Sequence, residues 1–362
     1  EGIRERILEE WGGEDGGHEV EMISLYNGGR TSAYVFRRYT QVKLVMAPEV
    51  QIGFFGGDPD NFTYPRYNLD FSFFRVYDDD GNPLQSDNHF RFDTDGLEEG
   101  EPIFIVGNPG STHRLQTVAE LEYRRDVGDR YLLDMFRSRM QVLEAYIDAN
   151  PEVSEELDLR NQYFSLSNSE KAYEGQIRGL EDPIIIARRM DTESDFQTAI
   201  EADPEMDSRY GVLIERMASL QDIKRDGAAV TGAFSAFGNP FIDGSTIIRG
   251  FFALQVIAMR QGGAPAEDID GMMDVVRETP NMPADLDALL IADRFQEMLD
   301  FLGPDHQAVT QLLQGRSPLA TAQSIVAASA LTDSATAVAG LEAGSVSPGD
   351  AAVQAVVAFL PA

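Results

Sequence analysis

The residues best suited to chemistry lie in one stretch, Phe55-Gly56-Gly57-Asp58-Pro59-Asp60-Asn61-Phe62-Thr63-Tyr64-Pro65-Arg66-Tyr67-Asn68-Leu69-Asp70-Phe71-Ser72-Phe73-Phe74-Arg75. Two adjacent glycines let a backbone approach a ligand closely, and Pro59 and Pro65 stiffen the path between them and the apolar run. The stretch reads as an active-site loop. Asp70 falls at the mouth of what the run of phenylalanines predicts to be a strand buried on both faces, where a carboxylate needs a partner. Arg66 and Arg75 are within reach, and capping of the strand is the other structural use of Asp70. Asn61, after Pro59-Asp60, has the local pattern of an Asx-turn. Asp58 and Asp60 could hold calcium, but a lone Asp-x-Asp is a weak pattern and a solvated turn accounts for it.

Other chemistries lack their residues. The four histidines, His18, His89, His113 and His306, stand in Gly-rich, turn, loop and helix-start contexts. None has a nucleophile motif or a metal-ligand spacing beside it, so no metal and no cofactor is expected. Cysteine is absent, which removes thiolate nucleophiles and disulfides. Gly107-Asn108-Pro109-Gly110 lacks the Gly-Lys-Ser/Thr ending of a phosphate loop and reads as a strand-end turn. No Gly-x-Ser-x-Gly elbow is present.

The elements that must position the loop change in character near Leu115. Before it, short apolar runs at 20–26, 32–39, 42–47, 70–77 and 103–107 alternate with turn signals such as Asn27-Gly28-Gly29 and Asp78-Asp79-Asp80-Gly81-Asn82-Pro83, which predicts strands. The runs at 42–46 and 103–106 are apolar on both faces, as inside a small barrel or sandwich. After Leu115 the period is helical. Residues 117–149 carry Leu121, Val127, Leu132, Leu133, Met135, Phe136, Met140 and Leu143 on one broad face, closed by Pro151. A second amphipathic helix begins near Pro283, carries Leu286, Leu289, Leu290, Phe295, Met298, Leu299 and Leu302, and stops at Gly303-Pro304. Ser317-Pro318 and Ser347-Pro348-Gly349-Asp350 have the form of N-terminal caps for two more. The fold class is therefore α+β, a β portion over 1–115 and an all-helical portion over 116–362, without a 20–50-residue repeat.

A net charge of -32 over 362 residues repels phosphate backbones and excludes nucleic acid as a partner. The acidity either solvates the surface or forms a field that draws in cationic peptide termini. No apolar run approaches the roughly 18 residues of a membrane span, and the first residues do not form a signal peptide.

The loop resembles that of the bacterial dipeptidyl aminopeptidases, in which Gly-Gly-Asp-x-Asn/Asp-Asn-Trp/Phe-x-Trp/Tyr-Pro-Arg-x-x-x-Asp-Phe-Ser recurs. Leu25-Tyr26-Asn27-Gly28-Gly29, Arg37-Arg38-Tyr39 and Gly107-Asn108-Pro109-Gly110-Ser111-Thr112 extend the resemblance over essentially the whole chain. It implies a chymotrypsin-like double β-barrel carrying a helical cap, with residues 1–115 as part of the barrel and 116–362 as the cap. It implies that Asp70 is the carboxylate of a Ser-His-Asp triad, and that Asn61, through its side chain, and Phe62, through its carbonyl, hold the free amino terminus of the substrate. The family draws an asparagine of the cap to the same ammonium. Asn168 in Leu166-Ser167-Asn168-Ser169-Glu170-Lys171 matches it, with Gln176 as the alternative. The family's Thr-Asn-His-His and Gly-Asn-Ser-Gly-Ser-Pro segments, which carry the histidine and serine, have no match in residues 1–362. The chain thus reads as an internal portion of a serine exopeptidase, inactive alone, acting on peptides with a free N-terminus. The resemblance further implies a periplasmic or secreted place and a homodimer. A non-catalytic peptide-binding or structural module derived from such a peptidase is the alternative.

Overall fold

The computed structural model describes residues 2–11, 17–26, 28–55, 65–107, 115–234 and 242–359. Asn61, Phe62, Asp58, Asp60, Asn27, His113 and 108–112, for which the sequence carries expectations, lie outside the described residues. Two compact units share the chain, Glu1–Gln116 and Thr117–Ala362.

The first unit opens with helix α1 (Gly2–Glu10), followed by strands β1 (His18–Leu25), β2 (Arg30–Arg37) and β3 (Val42–Met46), a short helix α2 (Val50–Gly53) and strand β4 (Phe73–Val76). β1 and β2 form an antiparallel hairpin, with His18 opposite Arg37 and Leu25 opposite Arg30. β3 and β4 form a second antiparallel pair, Val42 opposite Val76, and the register slips between Leu44 and Met46. The described strands make these two separate two-stranded sheets.

Three details differ from the pattern in the sequence. β4 starts at Phe73, so 70–72 lies outside the strand and is unpaired. Residues 103–106 join no strand, and Phe104 is 91% exposed. β3 and Phe73 and Phe74 of β4, expected to be buried on both faces, are exposed. The reason is geometric, since a two-stranded ribbon has no second layer and cannot hide either face. The apolar side chains are there, but no described residue covers them.

The second unit is helical: α3 (Val118–Tyr123), α4 (Asp129–Ala149), α5 (Pro151–Glu156), α6 (Leu159–Glu181), α7 (Pro183–Glu201), α8 (Pro204–Tyr210), α9 (Leu213–Asp226), α10 (Ala228–Phe234), α11 (Ser245–Gly262), α12 (Ala266–Glu278), α13 (Ala284–Leu302), α14 (Gln307–Leu313), α15 (Pro318–Ala328), α16 (Ser334–Glu342) and α17 (Ala351–Phe359). Thr117 starts it with a reciprocal capping box to Glu120. A π-helical turn, Arg124–Gly128, joins α3 to α4. Ser317 caps α15 with Pro318 in the first turn, and Gly303 ends α13 at φ +78°. Two expectations shift. Pro151 opens α5 rather than only closing α4. The cap of α17 is Asp350, not Ser347, because the Asp350 carboxylate accepts from Ala352 N and also from Ser329 Oγ and Ala330 N.

α13 carries the core on two sides. Ile291, Phe295 and Met298 join Ile247 and Val256 of α11, Met273 and Val276 of α12, Ile325 of α15 and Val353 and Val356 of α17. Leu286 and Leu290 join Leu143 and Tyr146 of α4 and Leu159 and Leu166 of α6. The second cluster is what fixes α6 and the residues it carries.

Candidate functional site

Asp70 lies on the segment that enters β4, and one backbone bond anchors that segment: Leu69 N donates to Ile52 O of α2 at 3.1 Å. A Cβ at Gly53 would meet Leu69 O at an ordinary contact distance of 3.5 Å. The Asp70 side chain is exposed and enters no hydrogen bond or ion pair among the described residues. It does not pair with Arg66 or Arg75, and Arg66 instead sets its guanidinium 5.2 Å from the centre of the Phe55 ring. Neither structural use of Asp70 foreseen in the sequence is realised among these residues.

Asn168 belongs to the second unit, midway along α6. The helix is held against α4 by Phe136 and Tyr173, whose ring centres are 5.7 Å apart, and by Arg137, which reaches Glu170 at 2.8 Å and Glu174 at 3.3 Å. Glu170 is thereby occupied, and its hydrogen bond raises the Arg137 guanidinium above its ordinary range. Ser169 turns back to donate to Ser165 O at 3.3 Å. Asn168 is half-buried, and its Oδ1 is shielded from solvent with no hydrogen-bond partner. A desolvated acceptor left empty is costly, so such an atom is a place where a donor is missing.

Gln176, the alternative on the same helix, is in the opposite state. Its Oε1 accepts from Arg124 Nη2, and Arg124 also clasps Asp129 through two bonds of 3.1 and 2.9 Å. The clasp sits on the π-helical turn, which brings Arg124 and Asp129 to one side. Of the two amides, only Asn168 has an oxygen without a partner among the described residues. The Arg124, Asp129 and Gln176 network was not foreseen, and Arg124 and Gln176 stand 52 residues apart. No group of three or more metal-ligating side chains occurs among the described residues. His306 is used as a cap, its Nδ1 accepting from Ala308 N at 3.2 Å.

The unit that carries Asn168 is stiffened by buried charge. Arg249, fully buried, donates to the carbonyls of Leu331, Thr332, Thr279 and Pro280 and to Asn281 Oδ1. Burial pulls its guanidinium below the usual value. Asp287 accepts from Thr246 N and Oγ1 at the start of α11, and burial lifts its carboxyl although the Thr246 bonds pull it down. Gly244, the residue before α11, lies so close to Asp287 and Ile291 that a Cβ there would overlap both.

The profile of the Peptidase S46 family matches residues 4–358, and the chain belongs to that family. It is 33% identical over 147 residues to the Asp/Glu-specific dipeptidyl-peptidase of Porphyromonas gingivalis, covering 38% of this chain and 20% of that protein. It is 28% identical over 190 residues to dipeptidyl-peptidase 7 of Phocaeicola vulgatus, covering 50% of this chain and 26% of that protein. Among solved structures, Porphyromonas endodontalis DPP11 in complex with the dipeptide Arg-Glu superposes with a TM-score of 0.68 at 17% identity, over 98% of this chain and 54% of that one. At that identity the likeness concerns the fold. The chain spans about half the length of the solved DPP11 chain and the aligned stretches only about a fifth to a quarter of the curated relatives.

Proposed function

We propose that this chain is part of a serine-type dipeptidyl aminopeptidase that releases dipeptides from peptides with a free N-terminus. The observation that carries the reading is membership of the S46 peptidases along residues 4–358, together with relatives named as dipeptidyl-peptidases. In this reading residues 1–115 contribute to a chymotrypsin-like β-barrel, residues 116–362 form the helical cap, and the catalytic histidine and serine are supplied from outside the 362 residues. The exposed apolar faces of β3 and β4 suit strands that belong inside a barrel. The protein works in the periplasm or outside the cell, as a homodimer.

Asp70 is the triad carboxylate. It accepts a hydrogen bond from the histidine Nδ1–H, fixes the tautomer in which Nε2 can take the serine proton, and stabilises the imidazolium that results. A carboxylate with no partner among the described residues is free for that task. Asn61, Phe62 and Asn168 form the grip on the substrate ammonium, and the grip works as a ruler. It holds the α-ammonium two residues from the scissile bond, so a longer or blocked terminus leaves buried acceptors empty. The unpartnered Oδ1 of Asn168 favours it over Gln176 as the cap's contribution.

The test is release of a fluorescent group from dipeptide amides with free and blocked amino termini by the full-length protein. Cleavage that needs the free terminus and collapses in Asp70→Asn is the expected result. Equal cleavage of blocked substrates, or no cleavage of any dipeptide amide, would remove the proposal.

A further inference from the structure

In the first unit a cleft of about 350 Å³ lies between α1 and the open end of the β1–β2 hairpin, lined by Arg4, Leu8, Gly17, His18, Glu19 and Arg38. None of these residues is used by the proposed peptidase chemistry. Arg4 is set in place by Nε, which donates to Val20 O at 3.0 Å. Arg38 is set by its backbone, whose N–H donates to Gly17 O at 2.7 Å, while its guanidinium enters no hydrogen bond or ion pair among the described residues. Its neighbour Arg37 behaves differently, lying 5.3 Å from the centre of the Tyr39 ring and 3.9 Å from Asp79. His18 packs its ring against Trp11 at 5.6 Å, and its Nδ1 is shielded from solvent with no partner.

Glu19, the carboxylate in the lining among the described residues, forms no ion pair with Arg4 or Arg38. In a chain of net charge -32, two guanidinium groups and an imidazole line one cleft, and no ion pair joins them to a carboxylate among the described residues. Gathered cations repel one another until an anion joins them. The planar fork of arginine matches a carboxylate or a phosphate. The volume falls in the range of small-molecule sites rather than that of a bare ion, and Leu8 gives the cleft an apolar wall. We infer that this cleft binds the carboxylate of a small organic molecule, with Arg4 and Arg38 as its charged partners and His18 as a further donor.

Titration calorimetry of the full-length protein with N-acetylalanine, N-acetylalanine amide and inorganic phosphate tests this. The acetyl group keeps the probe out of a site that demands a free amine, so the outcome does not depend on the peptidase reading. N-acetylalanine is expected to bind and the amide not to. Arg38→Ala should weaken binding about 10-fold or more, equivalent to about 1.4 kcal/mol, and Arg38→Lys should fall between the two. Thermal unfolding of Arg38→Ala should match the parent, since the side chain holds nothing else. Equal binding of acid and amide, binding unmoved by Arg38→Ala, or no binding would each overturn the inference. Phosphate binding as tight as the acid with the same loss in Arg38→Ala would overturn the assignment to an organic carboxylate.

Discussion

Replacing Asn168 by alanine should separate stability from activity in an unusual direction. The Asn168 Oδ1 is desolvated without a partner, and neither end of the amide forms a hydrogen bond among the described residues. Removing an unsatisfied buried acceptor relieves about 1–3 kcal/mol. Alanine adds roughly 0.5 kcal/mol of helix propensity in the middle of α6, and lost packing of the amide takes back about 1 kcal/mol. The net is a stabilisation of about 0.5–2.5 kcal/mol, a rise of roughly 1–10 °C in Tm for a unit of this size. In catalysis the same acceptor is worth a hydrogen bond to a charged group, about 1.5–3 kcal/mol, so kcat/KM for a free-amine dipeptide amide should fall by roughly 10- to 150-fold. Calorimetric unfolding and fluorogenic kinetics on parent and variant measure both. A variant that loses stability while keeping its activity would show that the amide is structural, and the reasoning from the empty acceptor would fail.

Asp70→Asn should lower turnover by about 10⁴-fold, the loss known for a triad carboxylate, while Tm stays unchanged because the carboxylate holds nothing among the described residues; a stability loss with activity retained would contradict this. Arg249→Met strips the Leu331, Thr332 and Thr279 carbonyls of their donor, while Pro280 O keeps Ser245 Oγ and Asn281 Oδ1 keeps Ser334 N, and should cost about 3–5 kcal/mol, read as a Tm lower by roughly 6–20 °C; a drop under about 2 °C would show that the carbonyls find other donors. For Asp287 the sign follows from its raised carboxyl, which makes the folded state bind a proton more tightly than the unfolded one. Its stabilising contribution is complete below the ordinary carboxylate value and is lost as pH rises through the raised folded value. Asp287→Asn should therefore flatten the decline of Tm with rising pH above the carboxylate range, and unchanged slopes would refute the assignment.

The helices were legible where periodicity and end signals agree. Ser317 with Pro318 and Gly303 mark the ends expected of them, and the eight apolar residues predicted to face inward between 121 and 143 are all buried or half-buried. Ser347 misled because Asp350 is a charged acceptor that can cap α17 and bind the end of α15 at once. The strands were legible as strands only where a partner pairs with them. Residues 103–106 have the apolar pattern but no described partner, and pattern alone makes no ladder. Buried arginines could not be foreseen either, since the carbonyls that receive Arg249 come from positions 30 to 83 residues further along. The family itself was legible in the loop and its flanking motifs, and the profile over residues 4–358 agrees.

Polar satisfaction bears on the two candidates that the resemblance offers, Asn168 first and Gln176 as its alternative. Asn168 and Gln176 are both amides on α6, eight residues apart, and either could serve an ammonium. Arg124 decides between them by taking the Gln176 oxygen, and it can do so because the π-helical turn sets it beside Asp129, which holds its fork in position. The pair then acts as a strut between the start of α4 and α6, while Arg137 ties α4 to Glu170 and Glu174. Every one of these carboxylates and amides has a structural occupation. Asn168, flanked by them, has none among the described residues, and the helix that carries it is held firmly on both sides of the empty acceptor. A ruler for an ammonium requires such a fixed base, and the ammonium itself, as the missing donor, would set the direction of the amide.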